Sequence, residues 1–208
     1  MYTDVFLSLS NIFFLVPFIR ATYKHRWTRS AVYFLLVFVS GFYHACYSAM
    51  DLCLVTHAVH HELDFFLSLL LIPLTGLYFI DFGTRFAFLE RWIIIVISFL
   101  IFLIQSDPML DINIVQYALV GFSGVLIIVG LILYGKQYDW GSITIGLIFT
   151  LAAFMFFILS QENPSDYWIL HGLWHILAAF GQYYLLDIRK AAPRYAAMDS
   201  QIKPIMMI

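Results

Sequence analysis

The sequence is short of charge. Its 208 residues contain 11 Lys and Arg and 13 Asp and Glu, 12% in all, with a net charge of −2, whereas a soluble domain carries about 25% charged residues. So few charges cannot cover a water-facing surface, and the absence of any basic-aromatic patch excludes a nucleic-acid-binding face. There is no Gly-rich phosphate loop, internal repeat or low-complexity tract. Four residues precede the first apolar run, without a basic n-region or a small-residue cleavage site, so no cleavable signal peptide is expected.

What the chain has instead is apolar length. It is 62% hydrophobic and 19% aromatic, with a mean hydropathy of +0.88. Apolar runs long enough to cross a bilayer fall near 5–21, 31–50, 63–80, 87–105, 112–134, 140–160 and 166–187. The breaks carry charge or turn chemistry: RATYKHRWTR (20–29), DFGTR (81–85), QSDPMLD (105–111), YGKQYD (134–139) and QENPSD (161–166). The fourth run is the weakest, because Glu90 and Arg91 intrude on it.

Lysine and arginine set the orientation. Arg20, Lys24, Arg26, Arg29, Arg85, Arg91, Lys136, Arg189, Lys190, Arg194 and Lys203 all fall in alternate loops or the C-terminal tail. By the positive-inside rule the N-terminus lies outside and the C-terminus in the cytoplasm. The expected fold is an all-α membrane protein, a seven-transmembrane helix bundle. Residues 1–190 form the transmembrane domain and 191–208 a short cytoplasmic tail.

Depth then brings polar residues together. His44 sits roughly 9 Å from the outer end of the second span, with Ser40 one turn deeper on the same face. Asp64 enters just inside the outer end of the third. His171 and His175, four apart and so on one helix face, lie roughly 8 and 13 Å into the seventh. Three imidazoles from two helices with a position left open form a ligand set of the catalytic zinc type, Zn2+ being the expected cofactor. Such an ion activates water for hydrolysis. Asp64 can take a proton, and Ser40 can hydrogen-bond an oxyanion or a ligand.

Two other readings compete: histidines bonded to protein neighbours with no ion, and a haem held by two imidazoles, which calls for facing histidines and usually no adjacent carboxylate. His57, His60 and His61 in THAVHHE are expected in an outer loop, where they could also bind metal, though a loop histidine run is usually just solvated. The aromatic residues (21 Phe, 13 Tyr, 5 Trp) read as packing and interface belts. Cys46 and Cys53, the only cysteines, either close a disulfide or remain two buried thiols.

SGFYHAC (40–46), LDFFLS (63–68) and LHGLWHILAA (170–179) resemble the three signatures of the transmembrane protein 8 (myomaker) family, in the CREST superfamily of seven-span proteins. That superfamily's pattern is Ser-x-x-x-His in the second span, Asp in or near the third and His-x-x-x-His in the seventh. Ser40 and His44, Asp64, and His171 and His175 match it in order. Cys46 and Cys53 also resemble a cysteine pair of this branch.

The resemblance implies zinc held by His44, His171 and His175 in a cavity open to lipid. Enzymatic relatives hydrolyse lipid amide or ester bonds, one of them on GPI anchors, whereas myomaker-type members drive myoblast fusion. The chain is compact like the latter, and no large extracellular domain is expected. It departs from them in its tail, RKAAPRYAAMDSQIKPIMMI, which has no cysteine where theirs carry a lipidated cluster.

The function expected is membrane remodelling or cell–cell fusion at the plasma membrane, with Golgi and ER as alternatives. The other reading is a zinc-dependent lipid hydrolase acting on the exoplasmic leaflet; a receptor has only the seven spans behind it. Membrane lipids are the expected partners. A partner membrane protein in fusion and a homo-oligomer are left open, since no small-xxx-small stripe argues strongly for self-association.

Overall fold

The computed structural model describes residues 2–47, 53–80, 87–105 and 112–188. The protein is all-α. Its helices are α1 (Tyr2–Ser10), α2 (Leu15–Tyr23), α3 (Trp27–Tyr47), α4 (His57–Leu77), α5 (Ala87–Gln105), α6 (Ile112–Tyr134), α7 (Trp140–Glu162) and α8 (Tyr167–Leu185), with 3₁₀ turns at Asn11–Phe14 and Gly135–Gln137. Among the described residues, five segments are long and apolar enough to cross a membrane: Val5–Tyr23, Trp27–Cys46, His57–Leu77, Tyr117–Gln137 and Trp140–Glu162. α8 is not among them, and its sequence gives the reason: His171, His175 and Gln182 dilute its hydropathy, and all three are buried.

Burial is arranged for lipid. Large apolar side chains face outward, among them Ile132, Leu133, Leu151 and Ile148, while Asn11, Ser40, His44, Asp64, His175 and Gln182 are turned inward. A water-soluble protein does the reverse, since burying a polar group costs free energy and exposing a broad apolar surface invites association. Together with the apolar helices, this marks an integral membrane protein.

The expected first span is present as the single segment Val5–Tyr23, with one tightened turn inside it. Pro17 has no N–H, and its ring crowds the carbonyl four residues back. The chain accordingly tightens into the 3₁₀ turn Asn11–Phe14 just before α2, and that dislocation exposes Ser10 and Asn11 to the bundle interior. One correction concerns THAVHHE. His57, His60 and His61 are not in a loop; they form the first turns of α4, which starts after Thr56 in extended conformation. His60 is buried.

The outer end of the second span near Met50, the DFGTR break, the SDPMLD portion of the next break and the tail 191–208 lie outside the described residues. The disulfide Cys46–Cys53 is formed.

α8 runs beside α7 and also packs on α1 and α2, α3 packs on α1, α2 and α4, and α4 on α5 and α6. α7 and α8 approach closely because a Cβ at Gly181 would sit 2.6 Å from Thr150 Oγ1. The core between α3, α4, α5 and α8 is built from Leu36, Leu70, Leu74, Ile94, Ile101 and Ala179.

A polar knot cross-links the same helices below this core. The hydroxyls of Tyr33 and Tyr78 lie 3.0 and 3.1 Å from Gln182 Oε1 and against each other, so their two hydrogens are shared among three contacts, and Gln182 Nε2 donates to Thr75 Oγ1 (2.8 Å). At the same end Arg20 grips Asp187 through Nε (2.9 Å) and Nη2 (2.6 Å), tying α2 to the exit of α8.

Candidate metal centre

α3 and α8 bring three imidazoles into mutual contact. Ring centroids are 5.2 Å apart for His44–His171 and His44–His175, and 4.9 Å for His171–His175. One ring nitrogen from each lies within 4.8 Å of the others, and all three residues are buried. This is the one group of three or more metal-ligating side chains that converges among the described residues. Histidines four apart on α8 share a face, and His44 reaches that face from near the end of α3.

Serines fix which nitrogen points inward. The Ser10 hydroxyl donates to the Leu7 carbonyl (2.6 Å), so its oxygen is left to accept the Nδ1–H of His175 (2.8 Å). That tautomer leaves Nε2 of His175 with its lone pair, and this buried atom has no hydrogen-bond partner. Ser160 repeats the device on a looser scale: its hydroxyl donates to Phe157 O (2.6 Å), and Nδ1 of His171 lies 3.4 Å from its oxygen. Nε2 of His44 is likewise buried and unpartnered.

An unsatisfied buried polar nitrogen costs about 1–3 kcal/mol. Two of them facing a common point fit a metal ion, which prefers imidazoles whose far nitrogen is held by a second group. The nitrogens lie within 4.8 Å of one another, and imidazoles on one tetrahedral ion stand roughly 3.3 Å apart. The chemistry and placement of the three histidines therefore fit a metal ion. The rings pack closely on one another, with His171 close to both of the others.

Aromatic side chains close the site. Tyr167 stacks on His171 (4.8 Å, 23°), Trp174 contacts both His171 and His175, Phe14 meets His175 edge-on, and Tyr43 packs on His44. Gly172 admits α1 to this face of α8, because a Cβ there would run into the Phe6 ring.

Ser40 and Asp64 sit beside the triad and do not belong to it. Ser40 is one turn from His44 on α3, and Asp64 faces it from α4 with the Ser40 hydroxyl as its polar neighbour. Neither Ser40 Oγ nor Asp64 Oδ1 reaches a hydrogen-bond partner, though both atoms are buried.

The five residues expected from the sequence are thus gathered into one buried region. Sequence reasoning missed Ser10 and Ser160, and it placed His60, which is buried with an unpartnered Nδ1, in a loop. Ser10-Asn11 was the visible clue, a polar pair in the middle of an otherwise apolar span.

No curated protein matches the chain. A family model described as "Protein of unknown function (DUF3522)" matches residues 1–176, a stretch that includes Ser40, His44, Asp64, His171 and His175. The chain belongs to the DUF3522 family.

Proposed function

We propose that this chain is a seven-span membrane protein of the transmembrane protein 8 type that holds Zn2+ through His44, His171 and His175 and hydrolyses a lipid amide or ester. The observation that carries the reading is the pair of buried, unpartnered polar groups beside the triad, Asp64 Oδ1 and Ser40 Oγ. An ion that only tied helices together would need neither.

Zinc held there would supply Lewis acidity for carbonyl hydrolysis. Asp64 takes a proton at Oδ1 from the water that attacks the carbonyl and returns it to the leaving amine or alkoxide. Ser40 donates its hydroxyl to the carbonyl oxygen as negative charge develops on it. Ser10 and Ser160 hold the imidazoles in orientation, and Tyr43, Tyr167 and Trp174 keep bulk water out.

The seven spans are α1–α2 taken as one, then α3 to α8. Arg20, Lys24, Arg26 and Arg29 cluster at the end of the bundle opposite the triad, which supports a cytoplasmic position for that end, an outward-facing triad and exoplasmic lipid as substrate. The plasma membrane is the membrane we assign.

A second reading has its own support. The triad is almost fully buried and bridges α3 to α8, as an ion that only shapes a membrane-remodelling or fusion protein would. Asp64→Asn separates the two. It should keep metal and fold while abolishing release of fatty acid from lipid vesicles. Unchanged lipid turnover, or no turnover in the wild type beside intact cell-fusion activity in both proteins, would transfer the assignment to the fusion reading.

A further inference from the structure

The first two turns of α4 look mostly outward. His57, Ala58, Val59, His61, Glu62 and Leu63 are exposed, and between Thr56 and Phe65 only His60 and Asp64 are buried, at 5% and 8% exposure. The two are four residues apart, so they share one helix face with Cβ atoms about 5–6 Å from each other. Leu67, Leu71 and Leu74 carry that face on into the core. At its outer end the same face bears an imidazole and a carboxylate, one turn apart.

Each of the two has a buried atom without a hydrogen-bond partner, Nδ1 of His60 and Oδ1 of Asp64. Burying such an atom is unfavourable, and a leucine at position 60 would fill the space without that cost. Packing therefore does not account for the imidazole. Metal binding does not account for it either, since the side chains that converge as ligands are His44, His171 and His175, without His60.

Its place on the helix supplies a reason. Residues 53–56 ahead of α4 are exposed, so His60 stands between the exposed start of the helix and Asp64, which lies roughly 6 Å further along the axis. Ester hydrolysis at the site leaves a proton to dispose of. Water adds its oxygen to the carbonyl carbon and gives one proton to Asp64, the bond to the alcohol oxygen breaks, and the alkoxide leaves with that proton. The fatty acid formed then ionises at neutral pH. Each ester therefore yields a carboxylate, an alcohol and one proton, and the proton must leave a buried site.

We propose that His60 is a positioning residue of the hydrolytic site that carries this proton from Asp64 to the exposed start of α4, across one bridging water. The inference rests on the hydrolytic reading and adds to it the ester as substrate class, since an amine leaving from an amide would keep the proton. An imidazole suits the task because it takes a proton at one nitrogen and releases one from the other. Asp64 is thereby returned to the carboxylate form for the next water.

The test follows fatty-acid release from dioleoyl phosphatidylcholine in dodecyl maltoside micelles by the full chain and its His60→Gln and His60→Ala variants, with zinc content and unfolding midpoint measured on each. His60→Gln keeps bulk and hydrogen bonding but carries no proton, and should lower kcat about tenfold or more with KM and zinc content unchanged. His60→Ala should lose as much. Free imidazole, at concentrations that alter neither the rate nor the zinc content of the wild type, should restore His60→Ala and leave His60→Gln, whose side chain fills the space, as it was. Should His60→Ala fail to fold, the kcat and KM of His60→Gln decide. A wild-type kcat in His60→Gln, or a folded His60→Ala that imidazole does not restore, would overturn this proposal and leave the hydrolytic reading standing. No release by the wild type would overturn both.

Discussion

Ser10 Oγ accepts the Nδ1–H of His175 at 2.8 Å across a sequence separation of 165 residues, so the orientation of the innermost histidine of α8 depends on a serine in the first span. Ser10→Ala removes that acceptor and leaves all three imidazoles in place. Metal affinity should fall about 10- to 100-fold with helix content unchanged. Competition titration of zinc against a chromophoric chelator reads this directly; equal affinities in both proteins would deny the serine its orienting role.

The Cys46–Cys53 disulfide closes a short loop, at a sequence separation of 7, just beyond His44. By loop-closure entropy, its loss as Cys46→Ser/Cys53→Ser should cost about 2–3 kcal/mol. Chemical unfolding in detergent, with and without reductant, measures that difference. Because the last turn of α3 carries His44, the reduced protein should also bind metal more weakly.

Gln182 joins Tyr33, Tyr78 and Thr75 in one buried knot. Gln182→Leu strips partners from all three and should destabilise the protein by about 2–3 kcal/mol. Tyr33→Phe should cost only about 1 kcal/mol, since Tyr78 keeps its bond to Gln182. The ordering of the two unfolding midpoints is the check, and a larger loss in Tyr33→Phe would contradict the bonding scheme.

His25 sits at φ 55°, the left-handed position just past α2, where its N–H bonds Thr22 O and the Arg26 N–H bonds Ala21 O. Side chains other than glycine pay a steric penalty there. His25→Gly should therefore raise stability by about 0.5–1 kcal/mol, seen as a higher unfolding midpoint with metal binding unaltered.

The inner surface of the bundle was legible in the sequence because polar residues are so scarce. Against a background this apolar, Ser40, His44, Asp64, His171 and His175 stand out, and counting residues from each span's end was enough to put them at one depth. Ser10 and Ser160 were not legible. A lone hydroxyl in a membrane helix ordinarily bonds its own backbone, as both of these also do, and only the approach of α8 shows that a histidine uses the other side of each oxygen.

Helix starts were misjudged for a related reason. The histidine-rich THAVHHE reads as loop by polarity, yet it contains neither Gly nor Pro to stop a helix, and α4 extends through it. The 3₁₀ turn at Asn11–Phe14, inside an otherwise continuous first span, follows from Pro17, which a hydropathy window averages away.

The central claim is that His44, His171 and His175 hold an ion. Elemental analysis of the detergent-purified protein, wild type beside His171→Ala, tests it most directly. About one zinc per chain in the wild type, lost in a variant that still shows its helical signal, is the expected result. Wild-type protein that carries no metal as purified and takes up none on zinc titration would contradict it, and the hydrolytic roles of Asp64 and Ser40 would fall with it.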